Sequence, residues 1–259
     1  MNILITGNFS ENIIDLLKKS KYTEKIYTAK DGGIEGFPNI SYANFDELIQ
    51  KAIDLKIDIA INTDVNLIGQ GIAEVFEQSR INLISVNKKW LNLETSRLSA
   101  KKLLDYYKIN NPKILKIPSD FPVVIKTDST KEDFTVFSMD ELLKTMESLR
   151  NKTIFLEEFT EGETFKLLAV WDRKNIKYFY AETPLTEVQE DRLDLLKTKL
   201  NFMFSDEKAD FTGFLTINII WYRNDWYVKD FETGTVPENI DMDLVYVLNS
   251  AIYQKLGEG

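Results

Sequence analysis

The chain contains no cysteine and no histidine. Without cysteine there is no disulfide, no thiolate nucleophile and no cysteine-ligated zinc or iron–sulfur centre. Without histidine the commonest general base and the HExxH type of metal site are excluded as well. Any chemistry must therefore use carboxylates, Lys, Arg, hydroxyls, backbone amides and hard cations such as Mg²⁺. Phosphoryl transfer, which works by positioning and electrostatics, needs neither missing residue. Glycine is also scarce, at 11 in 259 residues, where about 7% is usual. Long apolar runs are missing: no stretch approaches the roughly 20 residues of a membrane span. Met1 opens directly into "NILITG" with no basic segment or cleavage site ahead of it, so no membrane is expected and the expected location is the cytoplasm. Basic residues are outnumbered, 32 Lys and Arg against 41 Asp and Glu for a formal charge of -9. They are scattered rather than clustered, which argues against nucleic acid as a partner.

What is present suits a soluble globular chain of one or two compact units, 44% hydrophobic and 28% charged. "NILIT" is a near-continuous apolar run ending in Gly7. "SENIIDLLKKS" then has Ser10 at an N-cap position and Ile13, Ile14, Leu16 and Leu17 at helical spacing. Strands are predicted at 24–29, 57–62 and 81–86, and helices at 44–57 and 68–80. Strands alternating with helices imply a parallel sheet with crossover helices, so an α/β fold with a Rossmann-like unit over 1–88 is expected. A helix over 93–109 leads into residues 89–259, where the pattern becomes α+β. Strands are expected at 121–128 and "TIFLEEF", a helix at 138–150 with Ser138 and Glu141 at capping-box spacing, and hairpins turning at Lys174-Asn175 and at Arg223 to Asp225. Helices are expected over 186–204 and in the closing "IDMDLVYVLNSAIYQKL".

Four patches in the second half can carry chemistry. Lys126 ends the apolar run "PVVIK"; it is either an edge lysine or a cation held at the end of a buried strand. "IFLEEFTEGE" runs an apolar strand into Glu157, Glu158, Phe159, Thr160 and Glu163. Free backbone groups beside an aromatic can bind an adenine edge, and a carboxylate a few residues on can accept ribose hydroxyls; the alternative is a solvated acidic turn. In "YVKDFETG", Asp230 and Glu232 point the same way and Phe231 the other, because strand side chains alternate. Like charges side by side cost energy unless something cationic sits between them. Two such carboxylates make a platform for Mg²⁺ shared with phosphates, or an exposed strand face. Asn218 in "LTINII" can add a neutral oxygen. In "ETSRLSAKK", Arg97 and Lys101 lie on one helix face and either reach a phosphate or are solvated.

Taken in order, these motifs resemble the ATP-grasp enzymes, and among them glycinamide ribonucleotide synthetase, also called phosphoribosylamine–glycine ligase. "MNILITG", "NTDVNLIGQGIAEVFEQSRI", "LETSRLSAKKLLDYYKI", "PVVIKTD", "IFLEEFTEGETFKLLAV", "GFLTINII" and "YVKDFE" follow in family order over nearly the whole chain. The resemblance implies a pre-ATP-grasp domain over 1–88 and an ATP-grasp domain over 89–259, its lid subdomain about 111–157, without the family's C-terminal domain. It implies ATP and Mg²⁺ as cofactors, with Arg97 and Lys126 on phosphates. Glu157, Glu158, Phe159 and Thr160 become the adenine hinge, and Glu163 the ribose contact. Asp230 and Glu232 become metal ligands, joined by Asn218. ATP and a small carboxylate and amine would be the substrates, with a protein partner or a second copy also possible.

The departures from that family point elsewhere. "GNFSENI" keeps only Gly7 of a glycine-rich turn whose backbone would approach a sugar phosphate. "DSTKEDFTVF" has no glycine where the family has a glycine-rich lid loop, and brings Glu132 and Asp133 instead. "YAETPLTEVQEDR" stands where a segment rich in Gly, Asn and Thr is expected, and a "TGT" turn replaces an arginine after the metal ligands. The expected function is therefore ATP- and Mg-dependent carboxylate–amine ligation of the purine-biosynthetic type, impaired or redirected. The alternative is a degenerate nucleotide-binding or protein-interaction module. A Rossmann dinucleotide site is set aside, because no GxGxxG follows the first strand.

Overall fold

A computed structural model of the chain describes all residues other than 8, 10, 129–131, 180–183, 237–241 and 259. The expected N-cap Ser10 lies outside these described residues.

The first strand, β1 (Asn2–Thr6), is followed by α1 (Glu11–Lys19), β2 (Lys25–Ala29), α2 (Phe45–Asp54), β3 (Ile59–Asn62), α3 (Val65–Gln70), α4 (Ile72–Ser79) and β4 (Asn82–Ile84). The four strands pair in parallel in the order β2-β1-β3-β4. Alternation within β1 explains its continuous apolar run. Ile3 and Ile5 enter one core with Ile13, Ile14 and Leu17 of α1, while Leu4 enters another with Leu48 of α2 and Phe76 of α4. A parallel strand buried on both faces needs apolar residues at every position. The helix expected over 68–80 divides at Gly71, whose φ of 96° ends α3 and begins α4. A glycine accepts this left-handed conformation without a Cβ penalty.

The helix expected over 93–109 is also two, α5 (Lys88–Thr95) and α6 (Arg97–Tyr106), parted at Ser96. Asp128 supplies the missing N-cap for α6. Its backbone carbonyl accepts from Arg97 N–H at 3.3 Å, and its carboxylate from Leu98 N–H at 2.8 Å. The helix that carries Arg97 is thus tied to the end of a strand more than a turn of sequence away.

That strand belongs to an antiparallel sheet built from β5 (Ile114–Leu115), β6 (Val123–Thr127), β7 (Asp133–Val136) and, after α7 (Met139–Ser148), β8 (Ile154–Glu158), in the order β5-β8-β6-β7. Strand β7 falls in "DSTKEDFTVF", where the resemblance places a lid loop and no strand is expected. It forms because Val136 joins Val123, Ile125, Leu142 and Leu149 in a small core, a contact that four residues of pattern cannot announce. Ser138 caps α7 by accepting from Glu141 N–H, but the returning Glu141 carboxylate takes Phe137 N–H rather than that of Ser138.

The remaining elements are β9 (Thr164–Asp172), β10 (Ile176–Phe179), α8 (Glu187–Asp206), β11 (Thr212–Tyr222), β12 (Asp225–Thr233) and α9 (Leu244–Ile252), with the antiparallel order β10-β9-β11-β12. Thr186 and Gln189 form a reciprocal capping box at the start of α8. One face of this sheet packs Trp171, Ile217, Trp226, Val228 and Phe231 against Trp90 of α5, Leu104 of α6 and Phe204 of α8. Each such side chain contributes about 1.5–3 kcal/mol on burial, so the sheet and the helix bearing Arg97 are rigidly related. At the other end of β11, Ser85 bridges to Thr212. A Cβ on the neighbouring Gly213 would lie 2.7 Å from the Ser85 carbonyl carbon, so only glycine permits that approach.

Candidate functional site

Lys126 sits near the end of β6 and is 1% exposed. Its neighbour on β8 is Glu157, because Val124 is the residue directly opposite Glu157 and Lys126 lies two positions further on. Such diagonal pairs share a face. Lys126 Nζ lies 3.0 Å from Glu157 Oε1, and Lys101 Nζ of α6 lies 2.7 Å from Oε2. One carboxylate, itself 2% exposed, is thus shared by two ammonium groups. Lys101 also donates to Asn111 Oδ1 at 3.0 Å and to the Pro112 carbonyl at 2.5 Å. Burial holds its pKa below the ordinary lysine value, and nearby Lys126 adds to this against the opposing pull of Glu157.

Lys126 is less well served. Close as Glu157 is, no acceptor lies in line for a hydrogen bond with Lys126 Nζ, which is buried without one. An ammonium carries three donors and a buried one costs free energy until they are used. Beyond it, Asp133 at the start of β7 places Oδ2 3.8 Å from Lys126 Nζ and Oδ1 2.5 Å from Arg97 Nη1. Arg97, only 6% exposed, turns its other guanidinium nitrogen to Asp230 Oδ2 at 3.4 Å.

Asp230 and Glu232 reach this point through a bulge in β12. Asn218 of β11 faces Asp230, but the next residue, Ile219, faces Val228, leaving Lys229 as the extra residue. Uninterrupted alternation would have placed Asp230 and Glu232 on the face of Trp226 and Val228, in the core. The inserted residue reverses the phase, so Phe231 is buried and the carboxylates emerge on the face opposite. Thr233 then anchors the strand: its N–H and its hydroxyl both donate to Glu94 Oε2 of α5, each at 2.6 Å.

An amide lies between the two carboxylates, and one cation flanks each. Asn218 Nδ2 donates to Asp230 Oδ1 at 2.5 Å and to Glu232 Oε1 at 2.8 Å. Lys166 Nζ stands 3.6 Å from Glu232 Oε1 on a largely exposed side chain. Asn218 therefore presents its nitrogen, not its oxygen, to the pair; contributing to a metal would require the amide to turn over.

The fold brings Arg97, Lys126, Glu157, Asp230, Glu232 and Asn218 into one connected cluster. Glu158 lies aside: its N–H donates to the Lys113 carbonyl at 2.9 Å and its Oε1 accepts from Lys113 N–H at 3.0 Å. Since β8 lies between β5 and β6, the backbone at Glu157 and Glu158 belongs to the sheet. Phe159 and Thr160 follow beyond the strand end, half-buried, and Glu163 is exposed. Outside the sequence-derived set, Lys101, Asp133, Glu94 and Lys166 complete the cluster. Lys101 carried a signal in its i+4 spacing from Arg97 and Asp133 in the glycine-free acidic segment, whereas Glu94 and Lys166 carried none.

The donor set fits the groups that the fold implies. Among the described residues there is no group of three or more His, Cys, Asp and Glu arranged for a metal, but Mg²⁺ commonly takes one or two carboxylates and completes its shell with phosphate oxygens and water. A buried lysine without an aligned acceptor fits an anionic oxygen.

No protein-family profile matches the chain. It is 26% identical over 204 residues to the phosphoribosylamine–glycine ligase of Caldanaerobacter subterraneus, covering 68% of this chain and 49% of the ligase. The phosphoribosylamine–glycine ligase of Thermotoga maritima superposes with a TM-score of 0.69 at 16% identity, covering 90% of this chain and 68% of that one. The D-alanine–D-alanine ligase of Bacillus anthracis, solved in complex with ATP, gives 0.66 at 16% identity over 100% of this chain and 98% of its own. The fold is that of the ATP-grasp proteins. Within it, the chain resembles phosphoribosylamine–glycine ligase, and the matched segment spans about half the length of the first of these relatives.

Among the described residues, two sizeable cavities lie away from this cluster. One of about 390 Å³ stands at the ends of β1, β2 and β3, lined by Gly7, Lys30, Asp31, Tyr42 and Asp64 among others. Burial, then Asp31 and Asp64, hold the Tyr42 phenol above its ordinary pKa. The other, about 350 Å³, lies beside β4 and includes Glu77, Arg80, Arg173 and Asp210. No helix among the described residues is long and apolar enough to cross a membrane.

Proposed function

We propose that the chain binds ATP with Mg²⁺ at the cluster joining α6, β6 and β12, within a pre-ATP-grasp unit over 1–88 and an ATP-grasp unit over 89–259. The observation that carries this reading is Lys126, an ammonium buried to 1% exposure, without an aligned acceptor and linked through Asp133 and Arg97 to the carboxylate pair of β12. Lys126 and Arg97 hold phosphate oxygens, Asp230 and Glu232 hold the metal, and Asn218 orients the pair. Phe159 and Thr160, beyond the end of β8, receive the adenine, and Glu163 the ribose. In such a site ATP supplies the phosphoryl group that activates a carboxylate for attack by an amine. The residues of this chain bind, orient and offset charge there. The ligation itself is impaired or redirected relative to the relatives, given the glycine-poor first turn and the acidic "KED" of the lid.

The test is thermal melting with ATP and Mg²⁺ together and separately. A ligand at a hundredfold excess over Kd stabilises the native state by about 2.7 kcal/mol. The absence of any shift at millimolar ATP would sink the proposal. Incubation with glycine and phosphoribosylamine is expected to release little ADP.

A second reading, a module that has lost nucleotide chemistry and binds a protein, is favoured by one observation. Asp133 already satisfies Arg97. The melting experiment separates the two.

A further inference from the structure

We infer that Asp133 occupies the place of a phosphate group in the cluster, so that polyphosphate binds only by displacing its carboxylate; this rests on the nucleotide-site reading above. The argument begins with register. Asp133 is the residue directly opposite Lys126 in the β6–β7 pair. From there one carboxylate oxygen meets Arg97 Nη1 at 2.5 Å and the other approaches Lys126 Nζ to 3.8 Å. One anion therefore bridges the two buried cations, as a phosphate does with two of its oxygens. Its neighbour Glu132 does not share this role, since its carboxylate pairs with Lys152 on the surface.

The consequence is a specificity filter. A phosphate approaching Arg97 and Lys126 meets a like charge at contact distance, with Asp230 on the other nitrogen of the same guanidinium and Glu232 joined to Asp230 through Asn218. Anions of low charge gain too little from the two cations to exchange for Asp133. Asp133 is partly exposed, 36% for its side chain, so its carboxylate has water to enter when it yields.

The experiment is titration calorimetry of the wild type, D133N and E132Q with sodium tripolyphosphate in the absence of divalent metal, and with MgATP. D133N keeps the shape and removes the charge; E132Q makes the same change in net charge one residue away. D133N is expected to bind tripolyphosphate at least about tenfold more tightly than the wild type, as befits loss of one charge-assisted competitor, with E132Q close to the wild type. D133S serves in place of D133N if melting shows that the latter does not fold. If D133N gains affinity for tripolyphosphate while no variant binds MgATP, the inference holds and the nucleotide reading falls. If wild type and D133N bind MgATP equally well and tripolyphosphate equally well, the nucleotide reading holds and the inference falls. Weaker binding in D133N, an equal gain in E132Q, or no tripolyphosphate binding by any variant overturns the inference as well.

Discussion

Two apolar strands of this chain run into paired carboxylates, "FLEE" on β8 and "KDFE" on β12, and the fold treats them oppositely. Glu157 is 2% exposed and shared by two ammonium groups at 2.7 and 3.0 Å. Asp230 and Glu232 each keep 20% of their side-chain surface in solvent and are held chiefly by an amide, with cations at 3.4 and 3.6 Å. A carboxylate committed to two buried ammoniums is a structural counter-ion, because removing it strands both charges. A carboxylate held by an amide and distant cations can exchange those partners for a metal or a ligand at small cost. The comparison teaches that a strand ending in acid identifies a site only once the cations around it have been placed.

The comparison is broken most severely at Glu157. E157Q leaves Lys101 and Lys126 without their shared charge and is expected to cost about 3–5 kcal/mol, read by urea denaturation; a loss below about 1 kcal/mol would make Glu157 no more structural than its counterparts on β12. R97M removes the guanidinium between Asp133 and Asp230. It should cost about 1–2 kcal/mol, the usual range for charged hydrogen bonds discounted for the solvent on both carboxylates, and should abolish any ATP-induced rise in melting temperature. The double variant D230N/E232Q is expected to change stability by less than about 1 kcal/mol, while the Mg²⁺ dependence of that rise disappears. Persistence of the metal dependence would refute the assignment of the pair.

The smallest effect concerns pH. Burial lowers the pKa of Lys101 from 10.5, so below 10.5 and above its native value the unfolded chain binds more protons at this residue. Stability contributed by this site therefore rises with pH across that alkaline interval. K101M should lack the rise, visible as a difference between the two proteins' stability-versus-pH curves; parallel curves would refute it.

Much of this was legible in the residues. The alternation of apolar strand and amphipathic helix up to Val86 announces a parallel sheet, since no other arrangement buries both faces of "NILIT". The order of Lys126, the acidic strand end and the late carboxylate pair was likewise readable. The strand at Asp133–Val136 was not, because its pattern is too short and its support comes from Leu142 and Leu149 on a later helix. Nor was the bulge at Lys229, which follows from pairing with a strand whose register nothing local specifies. Lys101 stood out only by spacing, and its partner Glu157 lies on a different element. Glu94 carried no signal: its bond to Thr233 crosses 139 positions.

By itself the sequence determined the chemistry open to this protein, through the absence of imidazole and thiol, and the order in which cationic and acidic groups follow along the chain. It also determined local features that need only near neighbours, such as the N-cap at Ser138 and the hairpin turn between Tyr222 and Asp225. Tertiary structure decided which charge meets which. Arg97 and Asp230 are 133 residues apart, and the strength of an ion pair depends on distance and burial, quantities that exist only once the helix, strand β7 and the bulged strand are packed together. That is why one acid on β8 became a counter-ion, a pair on β12 stayed available, and Asp133 came to rest on the cations between them.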